Sequence, residues 1–531
     1  MTPDSVKTPV SSGHSSLNPP SRDNLFARGF LISTKGFRGS EQHPLLDKWH
    51  LHEEGGFFFL LHEWTRFYRF AFGPTTHVLI GHAYDPFEGS SDEASLLEAS
   101  ARALSVSRDR FFDVVSRWTG RFVTGVISGN EIELVQDCAG MRSLFYGQVA
   151  DHAYISSHAQ LIGDVCKLSM DPFVKRLIAS PAYRIGIRFL PGDLSPFTSV
   201  RRLGPNTSLT FDGTFRLSRF YPRGPLQMLS SESEKRTMAA EIGETLRRSM
   251  ELVAQKWDNP GISLTGGTDS RTTLAASRGL HDRFRYFTFC SNKEEGVDYL
   301  AAQKISRKLG LRHDLHMIPG SPEDIPGYAS HREVVHHNSG YVRQNAENDL
   351  RKLAYFANST PYDVDVKSWA SEIGRSNFCK RLAMKALPEP LSPRQMSILY
   401  KRIFFDRRLL REVDQAFADY MEKTNFGDAF FNIDSADMVY WEHRFPGWGA
   451  LCLNEFDMCW ETTVIFNNRR LLEMFLAFPR EDRIADRPHR LVVEYLQPEL
   501  NNPDLHVVNF SKQRARVIVE RLFFEVNSRL P

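Results

Sequence analysis

Ten consecutive residues constrain this chain more than any others: Ile262-Ser263-Leu264-Thr265-Gly266-Gly267-Thr268-Asp269-Ser270-Arg271. A short apolar run enters a pair of glycines, and a helix-forming stretch starts straight after. That order asks for a strand, a tight turn and a helix, the opening of a unit in which parallel strands alternate with covering helices. Paired glycines let backbone N–H groups approach an anion with no Cβ in the way. The helix N-terminus beyond them adds partial positive charge. Thr265 and Ser270 bring hydroxyls suited to phosphate oxygens. Asp269 would repel a bare phosphate, so it points to a magnesium ion between carboxylate and phosphate. A plain turn, with Asp269 or Ser270 as helix N-cap, explains the same residues without a ligand.

The 531 residues are too many for one core and divide by pattern. From about Gly29 to Tyr221, short apolar runs alternate with turn residues. Residues 122–127 and 131–135 flank Ser128-Gly129-Asn130 and predict a β-hairpin. Further strands are expected at 29–33, 57–62, 78–82, 153–156 and 208–211. From about Ser230, strands alternate with long helices. Met238, Ile242, Leu246 and Met250 recur every four residues, placing an apolar stripe on one helix that Pro260 and Gly261 end. Strands follow at 262–264 and 287–289, then a helix at 299–309 closed by Gly310. Beyond about Tyr400 the pattern is mainly helical. The expected organisation is a disordered tail over 1–24, an antiparallel-sheet domain over 25–225 and a parallel α/β domain with a helical extension over 226–531. Residues 222–232 read as the linker.

Lys and Arg total 66 against 64 for Asp and Glu, a net charge of +2. That balance gives no case for nucleic acid or an anionic membrane as partner. Apolar runs such as Gly56-Phe57-Phe58-Phe59-Leu60-Leu61 are far shorter than the roughly 20 residues of a membrane span. The first 24 residues are rich in Ser, Pro and charge and lack the apolar core of a signal peptide. Cys138, Cys166, Cys290, Cys379, Cys452 and Cys459 form no CxxC pair, which fits free thiols in a reducing cytoplasm. A soluble cytoplasmic chain is expected; self-association into a homodimer stays open.

The glycine turn resembles the pyrophosphate loop Ser-Gly-Gly-x-Asp-Ser of the ATP-pyrophosphatase superfamily, with Thr265 keeping the hydroxyl of the first Ser. Other blocks, in the same order, resemble the asparagine synthetase family, which includes β-lactam synthetase and lasso-peptide cyclase. They are Gly120-Arg121-Phe122 with Asp137 and Gly140, Tyr154-Ile155-Ser156-Ser157, Arg219-Phe220-Tyr221, Phe287-Thr288-Phe289 with Asp298, and Glu461 through Arg469-Arg470-Leu471-Leu472-Glu473 to Phe478-Pro479. The resemblance spans roughly residues 29 to 515. It implies an N-terminal Ntn-hydrolase-like domain and a C-terminal nucleotide-binding domain of the adenine nucleotide alpha-hydrolase type. It also implies ATP and Mg2+ at the loop, with Leu264, Thr265, Gly266, Gly267, Asp269, Ser270 and Phe289 around the nucleotide and Asp269 on the metal. The implied chemistry makes an acyl-AMP from a small-molecule or peptide carboxylate and passes the acyl group to an amine. On this basis magnesium-dependent conversion of ATP to AMP is expected, and Asp269→Ala should abolish it.

Three departures matter. No cysteine precedes Cys138, so the nucleophile that would open a working glutaminase domain is missing. Thr2 is a formal alternative on a polar tail, with no base positioned for it. The front domain is therefore expected to be a scaffold that does not hydrolyse glutamine. Secondly, the family's Gly-x-Gly-Ala-Asp-Glu stretch aligns with Ser368-Trp369-Ala370-Ser371-Glu372. Ser371 then stands for a metal-binding Asp, and Glu372 is left as a catalytic candidate or as a helix cap. Loss of that Asp leaves open a non-catalytic protein that keeps the fold. Thirdly, Lys512 is the positional candidate for a late lysine stabilising developing negative charge, or else a solvated lysine on the last helix. His336 and His337 are weaker candidates for proton transfer. The stretch from Trp441 to Trp460 reads as helix packing.

Overall fold

The computed structural model describes residues 24–37, 49–184, 188–400, 406–427, 429–502, 505 and 513–528. In chain order its strands are β1 Phe30–Ser33, β2 His50–Glu54, β3 Phe57–Leu61, β4 Phe67–Phe72, β5 Thr75–Tyr84, β6 Thr119–Ser128, β7 Glu131–Gln136, β8 Phe145–Val149, β9 His152–Ser156, β10 Val200–Arg202, β11 Thr207–Phe211 and β12 Phe215–Arg219 in the front half. The rear half adds β13 Pro260–Ser263, β14 Arg285–Cys290, β15 His313–Met317, β16 Val364–Lys367 and β17 Glu461–Val464.

Two six-stranded sheets, ordered β10-β8-β9-β1-β3-β2 and β12-β11-β7-β6-β5-β4, build the front half. Their strand pairs are antiparallel, including the hairpin β6–β7 across Gly129-Asn130. Side-chain alternation sets the layers. Phe30 and Ile32 of β1 join Val78, Ile80 and Val123 of the second sheet in one core. Leu31, between them, faces the other way, onto Leu161 and Ile162 of the helix Ala159–Val165. On the far side, Leu79 packs with Leu96 and Leu97 of the helix Glu93–Val106. Helix, sheet, sheet and helix are thus stacked in four layers, in keeping with the antiparallel front domain that the sequence implies.

A third sheet, ordered β15-β14-β13-β16-β17, is parallel throughout. β16 and β17 are buried along their whole length, as parallel strands covered on both faces must be. The helix Glu232–Lys256 starts at a capping box made by Ser231 and Glu234. Its buried Ile242, Leu246 and Met250 are the expected stripe. Pro260, expected as its terminator, instead opens β13.

The strand order positions the site. From β13 the chain runs through the helix Thr268–Ala276 to β14, then through the helix Lys293–Leu309 to β15. It returns on the other flank of β13 to form β16, then β17. Reversal of direction between β13 and β16 leaves a crevice beyond their C-terminal ends, where open parallel sheets take their ligands. Among the described residues, no helix is long and apolar enough to cross a membrane.

Candidate functional site

A cleft of about 420 Å³ lies at these strand ends, a size suited to a small ligand. Ser263 and Thr265 line it from β13 and its loop, Phe289 from β14, Lys367 and Trp369 from β16 and its loop, and Arg188 from the front half. Trp369 stacks on Trp448 with centroids 5.1 Å apart, and the Arg444 guanidinium sits 5.0 Å from the Trp448 ring. The Lys352 ammonium lies 4.7 Å over Phe289 and bonds Glu295 at 2.9 Å. Arg343 forms a fork with Glu455 at 2.7 and 3.0 Å. Lys367 pairs with the buried Asp365 at 2.5 Å.

The loop after β13 is held by its neighbours. Leu264 is fully buried and extends the ladder, its N–H donating to Phe287 O at 2.8 Å. Three successive loop N–H groups find side-chain oxygens. Thr265 N–H donates to Ser270 Oγ at 3.0 Å, Gly266 N–H to Asp298 Oδ1 at 3.2 Å and Gly267 N–H to Thr265 Oγ1 at 3.3 Å. The Asp298 carboxylate thus holds an anion's place at Gly266. Gly267 has φ −72° and ψ 158°, a conformation open to any residue. A Cβ there would meet only Thr265 Oγ1, at an ordinary 3.4 Å. Folding does not ask for glycine at this position; close approach by a ligand would.

Asp269 starts the next helix but does not line the cleft. Ser371 donates its hydroxyl to Asp269 Oδ1 and Arg375 donates Nη1 to Oδ2. Arg375 turns its Nε to Asp486 Oδ1 at 2.8 Å, and Lys380 binds the same Asp486. His489 Nε2 lies 3.8 Å from Asp269 Oδ1, held neutral by burial, which pushes it down to about 4. Glu372 is adjacent. Burial and then the Asp269 charge push its carboxyl up, and its buried Oε2 has no hydrogen-bond partner.

Magnesium would need carboxylate oxygens free to ligate it. Both oxygens of Asp269 are taken by this chain, leaving Glu372 Oε2. No group of three or more His, Cys, Asp or Glu side chains able to hold a metal occurs among the described residues. The residues as placed do not fit the ion.

Of the residues nominated from sequence, Thr265 and Phe289 face the cleft. Leu264, Gly266, Gly267 and Ser270 build the loop behind it, and Asp269 and Glu372 meet beyond it. Lys512 and Thr2 lie outside the described residues. His337 binds Asp164 of the front half at 2.7 Å, and neither it nor His336 lines the cleft. Of the tryptophans read as packing, Trp441 and Trp460 are buried, whereas Trp448 reaches the cleft. Arg188, Lys367, Arg375 and Trp369 escaped sequence reasoning as site residues. The cationic residue where β16 ends was the available signal for Lys367. In the front half, burial pushes the Cys138 and Cys166 thiols up, away from the reactive thiolate.

The molecule is thus an antiparallel four-layer domain joined to a parallel α/β domain with a cleft at its switch point. No family model matches it, and no curated protein does. Among solved structures it is similar to glutamine phosphoribosylpyrophosphate amidotransferase from B. subtilis, complexed with ADP and GMP. The match has 12% identity and a TM-score of 0.22, over 55% of this chain and 60% of that one. It is also similar to the allosteric regulatory enzyme of purine biosynthesis, at 12% identity and a TM-score of 0.24, over 56% of this chain and 75% of that one. Likenesses this distant assign neither activity nor ligand.

Proposed function

We propose that this chain uses ATP to activate a substrate carboxylate as its AMP ester and then passes the acyl group to an amine not released from glutamine by the same chain. One observation carries the reading. A strand–Gly-Gly–helix turn sits at the switch point of a parallel sheet, beside a cleft, with a glycine that the fold itself does not require.

In the first step a carboxylate oxygen attacks the α-phosphorus and the bond to pyrophosphate breaks. In the second, the amine attacks the acyl carbon, AMP leaves with the ester oxygen, and the amine gives up a proton. The protein's contribution is positioning and neutralisation of charge. Thr265 and the Gly266 N–H would meet phosphate oxygens, displacing Asp298. Lys367 and Arg188 would balance the negative charge. Trp369 and Trp448 offer a flat apolar wall for the acyl or adenine group.

A pyrophosphate-release screen over carboxylic acids tests the reading. Release should appear with one class of acid and be matched by AMP, while glutamine alone should yield no ammonia. Clear glutamine hydrolysis would overturn the scaffold role given to the front half. A second reading, a nucleotide-binding protein without turnover, is favoured by the closure of Asp269 by Ser371 and Arg375. It requires ATP binding by calorimetry with no AMP formed in the whole screen.

A further inference from the structure

The sequence asks for a divalent cation beside Asp269, and the fold has put a guanidinium there instead. Arg375 joins the two carboxylates of Asp269 and Asp486, and Ser371 takes the remaining Asp269 oxygen. Neither Asp269 nor Glu372 lines the cleft, whereas four cationic side chains do: Arg188, Arg343, Lys352 and Lys367, against two acidic ones, Asp349 and Glu455. Glu455 is spent on Arg343 and Asp349 on Lys352, at 3.3 Å. No carboxylate among the described residues pairs with Arg188, and its buried Nε has no hydrogen-bond partner. Lys367 is held by the buried Asp365 at 2.5 Å and Lys352 also by Glu295 at 2.9 Å, so Arg188 is the cleft cation left without a carboxylate among the described residues. A guanidinium free of carboxylates and bordered by a glycine turn suits an anion arriving without its own counter-ion.

We propose that the cleft binds its nucleotide free of a divalent metal ion, with Arg375 balancing Asp269 in the ion's place and Arg188 and Lys367 meeting the phosphates. This rests on the nucleotide reading above. Removing Arg375 leaves Asp269 as an uncompensated carboxylate behind the glycine loop, while Lys380 still holds Asp486, and binding then comes to need a divalent ion.

Calorimetric titration of the full chain with ATP in EDTA, and separately in excess magnesium, tests both levels. The proposal requires affinities within about threefold of each other in the two buffers, a difference of under 1 kcal/mol. Binding in magnesium alone would overturn it and leave the nucleotide reading standing. Binding in neither would remove that reading, and the proposal with it. Arg375→Met should weaken ATP at least tenfold in EDTA and recover in magnesium; unchanged binding in EDTA would count against the proposal. Should that variant fail to fold, Arg188→Gln serves, since its side chain borders the cleft without a carboxylate partner. It should lose about tenfold in both buffers, as expected for one charged hydrogen bond, and no loss would refute the role given to Arg188.

Discussion

Burial and the Asp269 charge both drive Glu372 toward its protonated form, and its buried Oε2 accepts no hydrogen bond. Its folded-state pKa lies above the unfolded value of about 4.3, so the folded protein holds that proton more tightly. The resulting penalty is absent below the unfolded pKa and grows as pH rises through the folded one. Glu372→Gln removes it. Melting temperatures of Glu372→Gln and wild type should coincide near pH 4 and separate by pH 8, with the variant higher. Each kcal/mol recovered amounts to about 1 °C for a chain of this size. A wild type that melts higher at pH 8 would mean that Glu372 has a partner worth more than its desolvation. At this scale the sequence was legible where chemistry is local. Thr265, Gly266, Gly267 and Ser270 occupy one turn, and their mutual bonds follow from residue type. It was illegible where partners are distant. Ser371 and Arg375 lie 102 and 106 residues from Asp269, and no spacing rule links positions so far apart. The expected magnesium site assumed that Asp269 was free, which only tertiary packing decides.

The turn can hold its shape only while β13 stays pressed against its neighbours, and Gly261 is where that contact is closest. A Cβ there would lie 2.7 Å from the Tyr362 ring and 3.1 Å from Phe287, which stack on each other at 4.6 Å. Gly261→Val must therefore push β13 away from both aromatics. The expected cost is about 1–3 kcal/mol, read as a lower urea midpoint at unchanged slope, with weaker ATP binding because the loop is displaced. A neutral urea midpoint would mean that the ring pair gives way and that the strand is not pinned. Elements with strong periodicity were readable in advance: the hairpin β6–β7, the stripe Ile242, Leu246, Met250, and the strand before the glycine turn with its neighbour β14. β15 and β17 were not, because His313-Asp314-Leu315-His316-Met317 and Glu461-Thr462-Thr463-Val464 carry no apolar run. Their place in the sheet comes from β14 and β16 beside them. The segment Tyr440–Gly449 is a π-helix containing Pro446. Its wider hydrogen-bond spacing absorbs a residue that ends most helices. That irregularity carries Trp448 to the cleft, so a stretch read as packing supplies part of the site.

Front and rear halves meet through polar groups that neither half satisfies alone. Arg121 of β6 is fully buried; it donates to Asn454 Oδ1 and Asp457 Oδ2 at 2.8 Å each, and its Nε donates to Met141 O at 2.9 Å. Glu461 of β17 receives Arg142 at 3.1 Å, with Arg28 and His82 within 3.7 Å. Asn467 bridges Gly120 O, Asp137 and the Ala139 N–H at 2.7–2.8 Å. Around them, Tyr84, Trp118 and Phe122 share one apolar cluster with Ile242, Trp441 and Val464. Burial alone would push the Glu461 carboxyl up, but Arg142, His82, Arg28 and Arg121 outweigh it and hold it well below the usual range. Its contribution is therefore present above the unfolded pKa and lost as pH falls through the folded one. The front half then has a mechanical use: it fixes Arg188 against the cleft. This interface predicts that both halves unfold together, in a single thermal transition. Arg121→Met strands Asp457 in the interior, at a cost of about 3–5 kcal/mol. Arg121→Met combined with Asp457→Asn should recover part of that loss, because no buried charge remains unpaired. Two separate transitions in the wild type, or additive losses in the double variant, would show that the halves are merely adjacent; the front half would then be free to move, and Arg188 could not serve as a fixed charge at the cleft.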